Sequence, residues 1–144
     1  MNGKTILIVD DSQPMREFID EVALRPAGYA TLTASSGEEG LARAESSRPD
    51  LILTDWQMPG MDGLALARKL QTAGLNMPVI LMTAEGSESL AVEAFRAGVA
   101  DYLNKPFEAE ALLEAIERAL AGGPPADRLP AQHSPATDPP ARTG

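Results

Sequence analysis

Three aspartates, a threonine and a lysine stand where apolar runs of this sequence give way to polar residues. Asp10 and Asp11 follow the run at 5–9, Asp55 follows 51–54, Thr83 follows 79–82, and Lys105 lies just past the run at 99–103. A lone aspartate after a strand usually caps a turn or a helix. Three at one rim are another matter, because their repulsion opposes joint ionisation. A hard divalent cation relieves that repulsion, and ligands that are all oxygen favour Mg²⁺ or Mn²⁺ over Zn²⁺. The chain has no cysteine and one histidine, His133 near the C-terminus, which excludes a typical zinc site. Mg²⁺ keeps several waters and bridges carboxylates to phosphate oxygens. A carboxylate can itself be the nucleophile, giving an aspartyl phosphate. Lys105 and Thr83 then supply a positive charge and a hydrogen-bond donor for phosphoryl oxygens. Phosphoryl transfer needs mainly positioning and charge stabilisation, and this set offers both.

Such a set forms only if separate strand ends meet. Five short apolar runs recur, at 5–9, 29–34, 51–54, 79–82 and 99–103; the first, third and fourth are nearly continuous, as in strands buried on both faces. Segments with helical spacing lie between them. Met15, Phe18, Ile19 and Val22 follow i, i+3, i+4, i+7, and Leu112, Leu113, Ile116, Ala119 and Leu120 do the same. Leu66 with Leu70, and Leu90 with Ala94, mark shorter amphipathic helices. Pro14, with Ser12 or Gln13 before it, suits a first helical turn. Ser36 and Ser87 fit N-caps, and Gly28, Gly74 and Gly98 fit helix ends. Strand and helix alternate five times, which predicts an α/β doubly wound parallel sheet with helices on both faces. Ligands of such sheets bind outside the carboxyl ends of the strands, where these residues fall.

The chain of 144 residues fits one domain, expected over residues 1–121. Residues 122–144 hold six prolines and almost no large apolar side chains, so a disordered tail is expected there. The formal net charge of −9 disfavours nucleic acid as a direct partner. The first apolar run is too short for a signal-peptide core, and no stretch reaches the roughly 18–20 apolar residues of a membrane span. The expected location is cytoplasmic.

The ordered motifs resemble the response-regulator receiver family, looking most like its single-domain chemotaxis CheY type. They are Ile8-Val9-Asp10-Asp11-Ser12; the stretch at 53–63, Leu-Thr-Asp-Trp-Gln-Met-Pro-Gly-Met-Asp-Gly; Met82-Thr83-Ala84; and Asp101-Tyr102-Leu103-Asn104-Lys105-Pro106-Phe107. The resemblance covers about residues 4–121. It implies a flavodoxin-like five-stranded sheet of order 2-1-3-4-5 with five helices, and a switch in a two-component phosphorelay. Asp55 would be the phosphoacceptor. Asp11, Asp55 and the main-chain carbonyl of Gln57 would ligate Mg²⁺, with Asp10 acting partly through water. Lys105 and Thr83 would bind the phosphoryl group, and Tyr102 would turn from an outward to an inward rotamer. Gln57 and Glu85 would flank the attacking water and tune dephosphorylation. A cis Lys105–Pro106 bond would aim Lys105 at the rim. The implied partners are a histidine kinase or phosphotransfer protein and a target on the face of the fourth helix, fifth strand and fifth helix, with the chain a monomer or weak dimer.

Other readings compete. A Mg²⁺-dependent aspartate-nucleophile phosphatase of the haloacid dehalogenase type wants Asp-x-Asp after its first strand, whereas this chain has Asp10-Asp11-Ser12 and no cap domain. A truncated transcription regulator would make the tail a linker. Trp56 reads as packing or a neighbour of the site, Met58, Pro59, Gly60 and Gly63 as loop geometry, Asp62 as a helix cap and His133 as a solvated tail residue.

Overall fold

A computed structural model describes residues 3–123; His133 and nearly all of the expected tail lie outside them. The elements run β1 (Thr5–Val9), α1, β2 (Ala30–Ala34), α2 (Gly37–Ser47), β3 (Leu51–Asp55), α3 (Gly63–Thr72), β4 (Val79–Thr83), α4 (Glu88–Arg96), β5 (Asp101–Asn104) and α5 (Ala109–Leu120). Helix α1 starts as an α-helix over Gln13–Glu17, widens to a π-helix over Phe18–Leu24 and tightens to a 3₁₀ turn over Arg25–Ala27. The sheet is parallel with order β2-β1-β3-β4-β5. This is the CheY-like flavodoxin fold.

Continuous apolar strands sort their side chains by alternation. Leu7, Val9, Ile52 and Leu81 point to one face, where they pack with Ala44, Leu66, Ala67, Leu70, Ala91 and Ala94 from α2, α3 and α4. Ile6, Ile8, Leu51, Leu53, Ile80 and Met82 point to the other, against Ile19, Ala23 and Leu24 of α1 and Leu112, Ala115 and Ile116 of α5. Truncating a leucine such as Leu53 to alanine in such a core costs about 2–5 kcal/mol.

The capping signals hold. Ser12, Ser36 and Ser87 each accept a hydrogen bond from a backbone amide three residues on, at 3.3, 3.1 and 3.2 Å, and Asp62 accepts from Ala65 N at 2.8 Å. Gly28, Gly74 and Gly98 close their helices at φ of 94°, 75° and 88°.

Some expectations need correcting. Val22 is exposed, because the π-helical stretch advances the buried stripe to Ala23 and Leu24. Val99 does not open β5: its amide bonds to Ala94 O at the end of α4, hydrogen bonding to β4 begins with Ala100 N to Val79 O at 2.8 Å, and the strand itself starts at Asp101. Tyr29 precedes β2, its amide closing on Leu24 O.

Candidate functional site

The strand order reverses direction between β1 and β3, so the carboxyl ends of these strands bound a crevice. Asp10 and Asp11 leave β1 on one side of it, and Asp55 ends β3 on the other. One carboxylate oxygen from each lies within 4.8 Å of the others. Asp10 is fully buried, Asp55 nearly so, and Asp11 is exposed. Lys105 reaches back from beyond β5, its Nζ 3.1 Å from Asp55 Oδ1 and 3.3 Å from Asp10 Oδ2. Its amide donates to Thr83 O at 2.7 Å, which carries the β4–β5 ladder one step past the strands. The Lys105–Pro106 bond is cis.

One ammonium therefore faces two buried carboxylates, with a third nearby. Burial, and then the charge of Asp10, push Asp55 above the usual carboxylate range; Lys105 pulls it back without cancelling them, and Asp11 adds to the rise. For Lys105, burial opposes the charge, but Asp10 and Asp55 outweigh it and hold the ammonium above the usual lysine range. The contact thus favours the charge of Lys105 and only partly compensates that of Asp55. The reason is the count: the lysine has two acids, while Asp55 shares its one cation with a like charge. Oxygen-only donors with surplus negative charge fit a hard divalent cation.

Local packing holds Asp55 in place. Thr54 Oγ1 donates to Asp55 O at 2.9 Å, and Gly63 N donates to Trp56 O at 2.8 Å. A Cβ on Gly63 would collide with the main-chain carbonyl of Asp55, so this glycine allows close approach rather than positive φ. Trp56 and Met58 are buried in the core, so Trp56 serves as packing beside the site.

Thr83 is buried at the end of β4, and its hydroxyl accepts from Glu85 N at 3.0 Å. Tyr102 is wholly buried, the inward member of the expected pair of rotamers, and stacks edge-on to Phe95 at 6.4 Å between ring centroids. Its hydroxyl has no hydrogen-bond partner among the described residues. Burial raises its pKa; Asn104 lies close enough to moderate the rise but outside hydrogen-bond geometry, and Asp101 adds to it.

Two features escaped the sequence reading. Gln57 Nε2 donates to Glu85 Oε1 at 3.1 Å, joining the loops after β3 and β4 across the site. Arg16 Nη1 donates to Asp10 O at 2.6 Å. Spacing gave no sign of the first. The second had a faint one: a cation about one turn into a helix opposes the helix dipole and needs a local reason.

A doubly wound sheet with this cluster at its carboxyl rim defines a class. The sequence matches the response regulator receiver domain over residues 6–117, and the chain belongs to that family. Receiver domains are signalling switches of two-component systems rather than enzymes with separate substrates. The phosphate regulon transcriptional regulatory protein PhoB of Pseudomonas aeruginosa is 42% identical over 88% of this chain and 56% of its own length. The DNA-binding transcriptional regulator NtrC of Salmonella typhimurium is 40% identical over 84% of this chain and 26% of its own. Among solved structures, the Vibrio cholerae chemotaxis protein CheY4 superposes with a TM-score of 0.77 at 33% identity, covering 81% of this chain and 98% of that one. The chain spans about half or less of the length of these two curated relatives. No helix among the described residues is long and apolar enough to cross a membrane.

Proposed function

We propose that this chain is a cytoplasmic phosphorylation switch whose acceptor is Asp55. The observation that carries the reading is the convergence of three carboxylates within 4.8 Å, with Lys105 Nζ 3.1 Å from Asp55. Asp11, Asp55 and the Gln57 carbonyl would hold Mg²⁺ or Mn²⁺, with Asp10 partly through water. Once bound, the cation neutralises charge on the carboxylates and on the phosphoryl oxygens.

An Asp55 carboxylate oxygen attacks the phosphorus of a phosphohistidine on a histidine kinase or phosphotransfer protein. The new P–O bond forms as the P–N bond breaks, and the imidazole leaves. Lys105 moves its charge onto the phosphoryl oxygens, and Thr83 gives up the Glu85 amide to donate to one of them. Water later attacks phosphorus, the P–O bond to Asp55 breaks, inorganic phosphate leaves and the carboxylate is restored; Gln57 and Glu85, joined by a hydrogen bond of 3.1 Å, would set that rate.

Thr83 and Tyr102 would pass the change to the surface of α4, β5 and α5, where a target binds. Of these elements, α4 offers an open surface formed by Ser87, Glu88, Ser89, Val92, Glu93 and Arg96, on which Val92 is exposed. The target itself, transcriptional or chemotactic, belongs to the whole protein's biology. The test is labelling by a small acyl phosphate with and without Mg²⁺. Native protein should label only with the cation, and Asp55→Asn should not label; Asp55→Asn labelling at the native level would overturn the assignment.

A further inference from the structure

We propose that Arg16 is a positioning residue for the divalent-cation site, gripping both ends of the turn that carries Asp11. This rests on the reading of the acidic rim given above. Among the described residues no hydrogen bond or ion pair holds the Asp11 side chain, which is exposed. Its direction is therefore set by its backbone, between Asp10 and Ser12. Asp10 is pinned at every polar group. Its amide donates to Ala34 O at 3.1 Å, Oδ1 accepts from Ser12 N at 2.9 Å, and Oδ2 faces Lys105 at 3.3 Å. What remains is the main-chain carbonyl of this fully buried residue, one step beyond the ladder of β1. A buried carbonyl left unpaired costs about 1–3 kcal/mol.

Arg16 supplies the missing partner. Its Nη1 donates to Asp10 O at 2.6 Å, a short charge-assisted bond. Its backbone amide donates to Ser12 O at 3.0 Å. One residue thus holds the carbonyls on either side of Asp11. Arg16 forms no ion pair with a carboxylate among the described residues, so a surface salt bridge does not account for it. Removing outer residues that orient metal ligands costs 10–100-fold in affinity as a rule.

The test is Mg²⁺ titration of the whole chain, followed by fluorescence of Trp56, the single tryptophan, which is buried next to Asp55. Arg16→Ala should weaken Mg²⁺ binding about 10-fold or more, and Arg16→Lys, which keeps a donor, should recover part of the loss. Arg25→Ala removes the other arginine of α1, paired with Asp20 at 2.8 Å away from the rim, and should bind as native protein does. In an Asp11→Ala background, Arg16→Ala should have little further effect. Native affinity in Arg16→Ala overturns the proposal. So does an equal loss in Arg25→Ala, or an undiminished Arg16→Ala effect without Asp11. Should Arg16→Ala not fold, native affinity in Arg16→Met decides against it in the same way. Native protein that binds no Mg²⁺ overturns the reading of the rim, and this inference with it.

Discussion

Asp20 and the Asp10–Asp55 pair are both buried acids beside a cation, yet they are built for different ends. Asp20 Oδ1 accepts from Arg25 Nε at 2.8 Å and Thr31 Oγ1 at 2.7 Å, one acid with one cation and one hydroxyl. It ties α1 to β2 and its charge is matched. At the rim, Lys105 is the one cation among the described residues ion-paired with the two buried carboxylates, a third acid lies close by, and Asp55 is pushed above the usual carboxylate range. A balanced cluster is a fastening. An unbalanced one could take further positive charge, and the imbalance separates the two where burial alone does not.

The largest expected difference comes from removing each cation. Lys105→Ala leaves two buried carboxylates without compensation and should destabilise the metal-free protein by about 3 kcal/mol, the low end for a broken buried pair. Arg25 is mostly exposed, so Arg25→Ala should cost about 1 kcal/mol or less. Urea unfolding in the presence of a chelator measures both. Equal losses would erase the distinction between the clusters.

A second prediction separates the acids within the rim. Asp11 is exposed and free of Lys105, whereas Asp10 is tied to it. Asp11→Ala should therefore weaken Mg²⁺ binding more than Asp10→Ala, by about 10-fold. Titrations giving the reverse order would exchange their roles.

How much of this was legible in the sequence follows from which forces are local. β1, β3 and β4 are buried on both faces, so their apolar runs announced them and placed Asp10, Asp55 and Thr83 at one rim. Caps are local too, and Ser12, Ser36, Asp62 and Ser87 were readable. β5 was misplaced because Val99 and Ala100 are as apolar as a strand, while the hydrogen bond of Val99 to Ala94 is a tertiary choice. Val22 failed because helical spacing assumes 3.6 residues per turn and α1 widens. The Gln57–Glu85 and Arg16–Asp10 bonds depend on which way long side chains turn after the strands have assembled, and no spacing encodes that.

The third prediction concerns coupling away from the rim. Thr83→Ala and Tyr102→Ala should each leave phosphorylation of Asp55 intact and reduce the gain in target affinity by about 1–3 kcal/mol. The double variant should lose less than the sum, measured as target affinity with and without phosphorylation. Strictly additive losses would show two independent devices.

The smallest effect concerns the sign of Asp55's charge. Its folded pKa is raised, so its contribution to stability is present below the usual carboxylate range and lost as pH rises through the folded value. At neutral pH without metal, the ionised group is a cost. Asp55→Asn should therefore raise Tm in chelator by a few degrees, about the shift for 1 kcal/mol in a domain of this size. Asp20→Asn, which disturbs a matched cluster, should lower it. For the same reason Mg²⁺ affinity should begin to fall on acidification while the pH is still above the usual carboxylate range. A lower Tm for Asp55→Asn would mean that Lys105 already balances the rim.

The most direct test of the central claim is to locate the phosphoryl group. Native protein is phosphorylated by a small acyl phosphate in Mg²⁺, the acyl phosphate is trapped by borohydride reduction, and the digested peptides are mapped by mass. The reduced residue should be Asp55 alone; a reduced Asp10 or Asp11 with Asp55 intact would contradict the account.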